Sequence, residues 1–164
     1  MSLDERERNA LIQRYADGPR RLREAFDKLP PAARQWRPAP GKWSAHEVVV
    51  HCADSETNAS MRIRYLLAEK NPTIMGYDQD VWAKSLDYQA HPIEAAFQAV
   101  DATRANTVPL LRHQPQSAWG RGGTHSEVGP YSAEKWLQTY ADHLETHARQ
   151  IERNLSAWRE KEGA

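Results

Sequence analysis

Apolar residues recur at spacings of three, four and seven in four long stretches of the sequence, a pattern typical of helices that bury one face. Almost no stretch shows the period of two that marks strands. The four stretches run from Leu3 to Leu29, from Ser44 to about Lys70, from Pro92 to about Pro109, and from Ser132 to Glu160. The sequence therefore predicts an all-α four-helix bundle, as a single domain over residues 1–164.

Particular residues mark the ends and interruptions of these predicted helices. Ser44 is followed three residues later by Glu47, the spacing of a capping box, so the second helix should begin there. Gly18-Pro19 falls inside the first helix and predicts a kink, because proline lacks the donor that a helix interior needs. For the same reason Pro109 should kink or end the third helix.

The connections between the predicted helices are unequal in length. Asn71-Pro72 ends the second helix, and the chain up to His91 forms a long connection with one helical turn around 80–85. Such a length predicts a crossover between the second and third helices of the bundle. The glycine-rich segment from His113 to Tyr131 should be a loop with room for a short hairpin.

Charge and composition exclude several classes of protein. The chain has 22 Lys and Arg against 22 Asp and Glu, which argues against nucleic-acid and membrane-surface binding. It contains no apolar run long enough to span a membrane and no signal-peptide pattern. The one cysteine, Cys52, precludes an internal disulfide, and a cytoplasmic protein is expected.

Two histidines stand on the apolar seam of the fourth predicted helix. His143 and His147 are four residues apart, which on a helix is about 40° of rotation and about 6 Å of rise, so both imidazoles project the same way. This geometry suits two ligands of one metal ion, although hydrogen-bonded core histidines share it. The zinc-protease motif is absent, because Leu144 and not a glutamate follows the first histidine.

A metal site would need a third ligand, and the spacing alone leaves several candidates. His51 lies one turn after the buried position Val48, and a polar face continues from it at three- and four-residue steps. That face resembles a pocket wall and consists of Ser55, Asn58 and Arg62. The other candidates are His46, for which a surface position in the first turn is expected, Glu47, His91 and His125.

Two longer motifs resemble a known family. The run from Trp36 to Glu56, which contains His51, and the run from Tyr140 to Ile151, which contains the histidine pair, are similar to the motifs of the DinB-like superfamily of the YfiT-like kind. The residues from Tyr15 to Pro19 are similar as well. The resemblance implies a four-helix bundle, usually a homodimer, with a divalent metal ion on His51, His143 and His147. It also implies metal-dependent hydrolases or transferases of low-molecular-weight thiols such as bacillithiol or mycothiol.

The chemistry of such a site favours an enzyme. Three imidazoles leave one position open on a tetrahedral ion, where a water or a thiol would lose a proton more easily. Zinc is the preferred ion and nickel also suits nitrogen ligands. We expect a small-molecule substrate, contacted by Ser55, Asn58, Arg62 and Tyr140. The alternative is a binding or stress-response module in which the metal is structural.

Two other residues near His51 invite a chemical role. Cys52 would lie in mid-helix, where no helix terminus lowers the pKa of its thiol, so we expect a buried small side chain and not a nucleophile. Asp54 lies close to His51 in the sequence, where it could orient a ligand or remain a solvated acid.

Overall fold

The computed structural model describes residues 3–163, and within them the protein is mostly helical. The helices are α1 Glu5–Asp27, α2 Pro31–Arg34, α3 Ala45–Ala68, α4 Gln79–Ser85, α5 Ile93–Arg112, α6 Ala133–Ala141 and α7 His143–Glu162, with a 3₁₀ turn at Gln116–Ala118. Three short strands complete the fold: β1 Thr73–Ile74, β2 Gly122–His125 and β3 Gly129–Ser132. None of the described helices is both long and apolar enough to cross a bilayer.

The start of the second long helix, α3, confirms the predicted capping box. The Ser44 hydroxyl accepts a hydrogen bond from the Glu47 amide at 3.2 Å, and the Glu47 carboxylate accepts one from the Ser44 amide at 2.8 Å. The predicted buried positions of α3 are all fully buried, namely Val48, Val49, Cys52, Ala59, Ile63 and Leu66. The helix therefore carries the apolar stripe that the sequence spacing indicated.

Two contacts fix the relative direction of α3 and α5. Near the start of α3, His46 bonds to the carbonyl of His91, and near its end Arg64 reaches Thr107, so α3 and α5 run parallel. Because parallel neighbours need a connection that returns along the bundle, the chain between them is long and holds β1 and α4. The predicted crossover between the second and third long helices is confirmed.

The fourth predicted helix is divided, which corrects the expectation of one continuous helix from Ser132 to Glu160. Ser132 caps α6 as predicted, with its hydroxyl accepting from the Lys135 amide at 3.1 Å. The helical pattern then breaks at Asp142, and α7 begins at His143. Proline ends neither of two other helices, since α1 continues through Pro19 and α5 continues through Pro109 to Arg112.

A small sheet closes one side of the bundle. Strand β1, from the crossover connection, pairs in parallel with β2, and β2 pairs antiparallel with β3. The β2–β3 hairpin lies in the glycine-rich segment, where the sequence left room for one. Gly123 allows the close approach of the connection, since an added Cβ there would lie 2.0 Å from the Pro72 carbonyl oxygen.

A polar layer separates two apolar cores along the bundle. In one core the end of α1 packs against the start of α3, the first half of α5, and α7. In the other core the start of α1 packs against the end of α3, the end of α5, and α6. Four features lie between the cores, one on each long helix: Gly18 on α1, Glu56 on α3, Arg104 on α5 and the α6–α7 break at Asp142.

Candidate metal centre

Three histidines from two helices meet at the polar layer. His51 projects from α3, and His143 and His147 project from the first two turns of α7. One ring nitrogen from each lies within 4.8 Å of the other two, and the ring centroids are 4.6 to 5.7 Å apart. The structure thus brings together the three histidines that the resemblance indicated, in a group that could hold a metal ion.

Hydrogen bonds fix the tautomers of the two α7 histidines. His143 Nδ1 lies 3.1 Å from a Glu56 carboxylate oxygen, and His147 Nδ1 lies 2.9 Å from the amide oxygen of Gln150. Both partners are acceptors, so each Nδ1 carries a proton, and in the neutral ring each Nε2 has a lone pair, which at His143 lies 3.4 Å from the Ser55 hydroxyl. An acceptor behind each imidazole is the usual support of a metal-binding histidine.

Burial keeps two of the imidazoles neutral. Loss of solvation lowers the pKa of His51 to about 3, with further lowering from His147 and His143. Loss of solvation, followed by His143, lowers the pKa of His147 to about 4. The buried Nδ1 of His51 has no hydrogen-bond partner among residues 3–163. Neutral imidazoles are metal ligands, so the donor set and this unsatisfied nitrogen both fit a bound ion.

The Glu56 carboxylate connects the histidines to a buried arginine. Arg104 donates from Nε and Nη2 to the two Glu56 oxygens at 2.9 and 2.7 Å, and both side chains are essentially inaccessible to solvent. Burial by itself would raise the pKa of Glu56, but the charge of Arg104 and the hydrogen bonds from His143 and Arg104 lower it to about 2. The carboxylate therefore stays ionised and holds its contact with His143.

Two backbone carbonyls that lack a helical partner supply the remaining acceptors of Arg104. Pro19 has no N–H to offer the Tyr15 carbonyl, and Arg104 Nη1 donates to that oxygen instead. At the α6–α7 break, Arg104 Nη2 donates to the Tyr140 carbonyl at 3.0 Å. Gly18 gives the guanidinium room, since a Cβ there would lie 2.5 Å from Nη1. The Gly-Pro pair thus provides space and a free carbonyl acceptor for Arg104, whereas the sequence indicated only a kink.

The sequence analysis missed Glu56 and Arg104 as site residues. A signal was present, because each stands in the buried stripe of its helix: Glu56 four residues after Cys52, and Arg104 four residues after Val100. A charged residue at a core position needs an opposite charge, so two such positions of opposite sign indicate a buried pair.

A cavity of about 350 Å³ opens beside the three histidines. Three of the four residues predicted to contact substrate line it: Ser55, Arg62 and Tyr140. Ser55 Oγ lies 3.4 Å from His143 Nε2, and Arg62 Nη1 donates to the Tyr140 hydroxyl at 3.2 Å. Asn58 is not part of the lining, because its amide donates to the carbonyl of Asp54 one turn earlier in α3.

The other candidate ligands serve different purposes. His46 is buried and not on the surface as expected, since its Nε2 lies 2.9 Å from the His91 carbonyl oxygen of the crossover connection. Glu47 caps α3 and pairs with Arg37. The His91 side chain is exposed, and His125 lines the cavity without joining the three-histidine group.

Cys52 and Asp54 have structural roles. Cys52 is fully buried, and loss of solvation raises the pKa of its thiol well above the ordinary value, so it remains protonated and unreactive. Asp54 accepts a hydrogen bond from the hydroxyl of Tyr88, which ties α3 to the crossover connection. Neither side chain lines the histidine cavity.

Comparison with known proteins agrees with this arrangement. The model of the DinB superfamily matches residues 14–151, which include all three histidines. The chain belongs to the DinB superfamily. It is 32% identical over 143 residues to a protein of Oceanobacillus iheyensis named "putative metal-dependent hydrolase", an alignment covering 87% of this chain and 83% of that one. A protein of Halalkalibacterium halodurans with the same description is 26% identical over 113 residues, or 69% of this chain and 66% of that protein.

Two solved structures share the fold of this chain. YfiT from Bacillus subtilis, described as a probable metal-dependent hydrolase with an unusual four-helix bundle topology, superposes with a TM-score of 0.87 at 23% identity, covering 93% of this chain and 88% of YfiT. A mycothiol-dependent maleylpyruvate isomerase superposes with a TM-score of 0.69 at 12% identity over 88% of this chain and 60% of the isomerase. These likenesses show the four-helix bundle.

Proposed function

We propose that this protein is a metal-dependent enzyme that acts on a small molecule, of the hydrolase or thiol S-transferase type, with a divalent ion held by His51, His143 and His147. The observation that carries the proposal is the cavity beside an all-histidine group. Among residues 3–163, no fourth His, Cys, Asp or Glu joins that group, so a tetrahedral ion would keep one position open toward the cavity. An open position is typical of catalytic sites.

The donor set favours zinc, with nickel as the second choice, because neutral imidazoles suit both ions. When bound, the ion would supply Lewis acidity and lower the pKa of a coordinated water or thiol. Support for the metal also comes from the curated relatives that are named metal-dependent hydrolases. The thiol alternative is supported by the mycothiol-dependent isomerase, which shares the fold.

The chain's own residues would orient the ligands and the substrate. Glu56 and Gln150 hold protons at the Nδ1 atoms of His143 and His147, which leaves both Nε2 atoms for the ion. Burial raises the pKa of Tyr140, so its hydroxyl stays protonated. Because that hydroxyl accepts from Arg62, its own proton is left to donate to a substrate oxygen in the cavity.

The experiment compares metal content and activity in matched histidine variants. Protein purified without an affinity tag is stripped with a chelator, reloaded with Zn²⁺ or Ni²⁺, and screened against activated esters and against electrophiles mixed with small thiols. We expect activity in the reloaded protein and loss of both metal and activity in His147→Ala. The control is His113→Ala, because His113 is exposed at the end of α5 and, within residues 3–163, its side chain bonds only to the Pro109 carbonyl.

The outcomes separate the alternatives. Ester hydrolysis would identify the hydrolase type, and turnover only in the presence of a thiol would identify the transferase type. Equal activity in His147→Ala and wild type would overturn the proposal. Stoichiometric metal with a coordination sphere closed by a fourth protein ligand would show the structural role instead.

A further inference from the structure

A second and larger cavity adjoins the histidine cavity. It measures about 1050 Å³ and lies between the β2–β3 hairpin and α6. Arg62, His125 and Tyr140 line both cavities and therefore stand at their junction. We call the larger cavity the hairpin cleft. Its volume is at the upper end of the range for pockets that bind small molecules, and that of the histidine cavity is at the lower end.

The lining of the hairpin cleft is positively charged. It contains Arg62 and Lys135 and includes no Asp or Glu. The carboxylate of Glu127 borders the histidine cavity and does not line the cleft. This imbalance contrasts with the whole chain, in which acidic and basic residues are equal in number.

Arg62 has donors to spare at the junction. It is half-buried, and its Nη1 and Nη2 donate to the Tyr140 hydroxyl and the Met75 carbonyl. Within residues 3–163 no carboxylate forms an ion pair with it, although Arg14, Arg23, Arg37 and Arg104 all have carboxylate partners. Three of its five N–H groups remain for a ligand, and a guanidinium binds carboxylate groups in a fixed planar geometry.

His125 adds a neutral donor beside Arg62. Its Nδ1 accepts a hydrogen bond from the Glu127 amide at 3.2 Å, so in the neutral ring the proton is on Nε2. The ring is buried at the end of β2 and packs on Tyr131, with centroids 5.4 Å apart. An N–H donor fixed in this way next to a cation strengthens the preference for an anion.

We propose that the hairpin cleft binds the carboxylate-bearing end of an elongated small molecule, with Arg62 as the principal anchor, while the other end of that molecule enters the histidine cavity. The inference rests on the proposed function only in its second part, the entry of the reacting end into the histidine cavity. It names the substrate class: an anionic molecule with at least one carboxylate, too long for the histidine cavity alone.

The test uses two probes that share one tripeptide backbone and differ in whether the carboxylates are free. S-methylglutathione has two free carboxylates and no thiol, and its diethyl ester has both carboxylates blocked by small ethyl groups. Calorimetric titrations of zinc-loaded and metal-free protein should show the acid binding about tenfold more tightly than the ester, equivalent to about 1.4 kcal/mol. The difference should shrink as salt is added, since the cleft is open to solvent.

Variants on one helix assign the preference to Arg62. In Arg62→Gln the acid and the ester should bind within about twofold of each other, and Arg62→Lys should keep part of the preference because it keeps the charge. The control Arg64→Gln should keep the full preference, since Arg64 bonds to Ser60 and Thr107 and lines neither cavity. No detectable binding of the acid, equal binding of acid and ester to wild type, or an unchanged preference in Arg62→Gln would each overturn the inference.

A separate measurement keeps this result distinct from the proposed function. Glutathione, which has a free thiol, is added to Co²⁺-loaded protein, and thiolate-to-cobalt absorption is recorded. Absence of metal binding together with a retained preference for the acid would overturn the proposed function and leave the anionic cleft standing. A cobalt–thiolate band without any preference for the acid would support the proposed function and overturn the anionic cleft.

Discussion

The sharpest test of the polar layer is Glu56→Gln, a change that preserves the shape of the side chain and removes its charge. The carboxylate accepts two hydrogen bonds from Arg104, at 2.9 and 2.7 Å, and one from His143 at 3.1 Å. A glutamine amide replaces one acceptor oxygen by a donor, so at least one of these contacts becomes donor against donor. The guanidinium of Arg104, only 1% exposed, is then left without a counter-charge.

Two estimates for the same ion pair agree on the magnitude. Breaking a buried ion pair by removing one partner costs about 3–5 kcal/mol. The lowering of the Glu56 pKa from 4.5 to about 2 corresponds to on the order of 3 kcal/mol of stabilisation at neutral pH. We therefore expect the free energy of unfolding to fall by about 3 kcal/mol. Loss of the acceptor behind His143 should also weaken metal binding by about 10- to 100-fold.

Two assays separate these effects. Urea unfolding of metal-free protein, followed by circular dichroism, gives the stability, and competition with a chromogenic zinc chelator, under conditions where each variant is folded, gives the metal affinity. The control is Glu145→Gln, because Glu145 lies on α7, the helix that carries His143, but pairs with Arg14 and Arg149 and does not belong to the histidine group. A Glu56→Gln protein that binds zinc as tightly as wild type would refute the role of the carboxylate in positioning His143.

Two further predictions concern the same layer. The unfolding free energy of metal-free wild type should decline as the pH falls below about 6.5, because the folded-state pKa values of His51, His147 and Glu56 all lie below their unfolded values. The share that Glu56 contributes should be lost between about pH 5 and 2, as its carboxylate is protonated. Urea unfolding at several pH values should show a flatter decline in Glu56→Gln, and parallel profiles would contradict this account. Gly18→Ala should destabilise the protein by about 1–3 kcal/mol, although alanine is normally the better helix residue, because its Cβ would lie 2.5 Å from Arg104 Nη1 and 3.1 Å from Leu144 Cβ. Gly120→Ala, where no atom lies within 4 Å of the added Cβ, should change the stability by less than about 0.5 kcal/mol, and equal effects of the two substitutions would argue against the clash.

Local spacing predicted much of the secondary structure because it depends on neighbours within one or two turns. The capping box at Ser44 and the buried stripe of α3 were predicted and are present. Pro19 was predicted to kink its helix and Pro109 to kink or end its own, and α1 and α5 both continue through their prolines. At Pro19 a side chain from another helix satisfies the freed carbonyl, which only the tertiary contact could reveal.

The sequence likewise predicted part of the candidate site. The four-residue spacing placed His143 and His147 on one face of a helix, and the family motifs pointed to His51 as their partner. The cavity wall was predicted for Ser55, Arg62 and Tyr140, but Asn58 turns back to its own helix. Pattern reasoning identifies the face of a helix on which a residue lies, but not whether its side chain reaches a cavity or bonds to the backbone beneath it.

The amino-acid order by itself determined the four helical stretches, the crossover and the pair of imidazoles four residues apart, because each depends on short-range geometry or on the length of chain available. Only the folded molecule decided that Glu56 and Arg104, 48 positions apart, would form a buried ion pair behind His143, and that Gly18 would leave room for it. It also decided which cations would border the hairpin cleft. These features depend on packing between helices that are distant in the chain, since a buried charge is stable only where its partner arrives from another element.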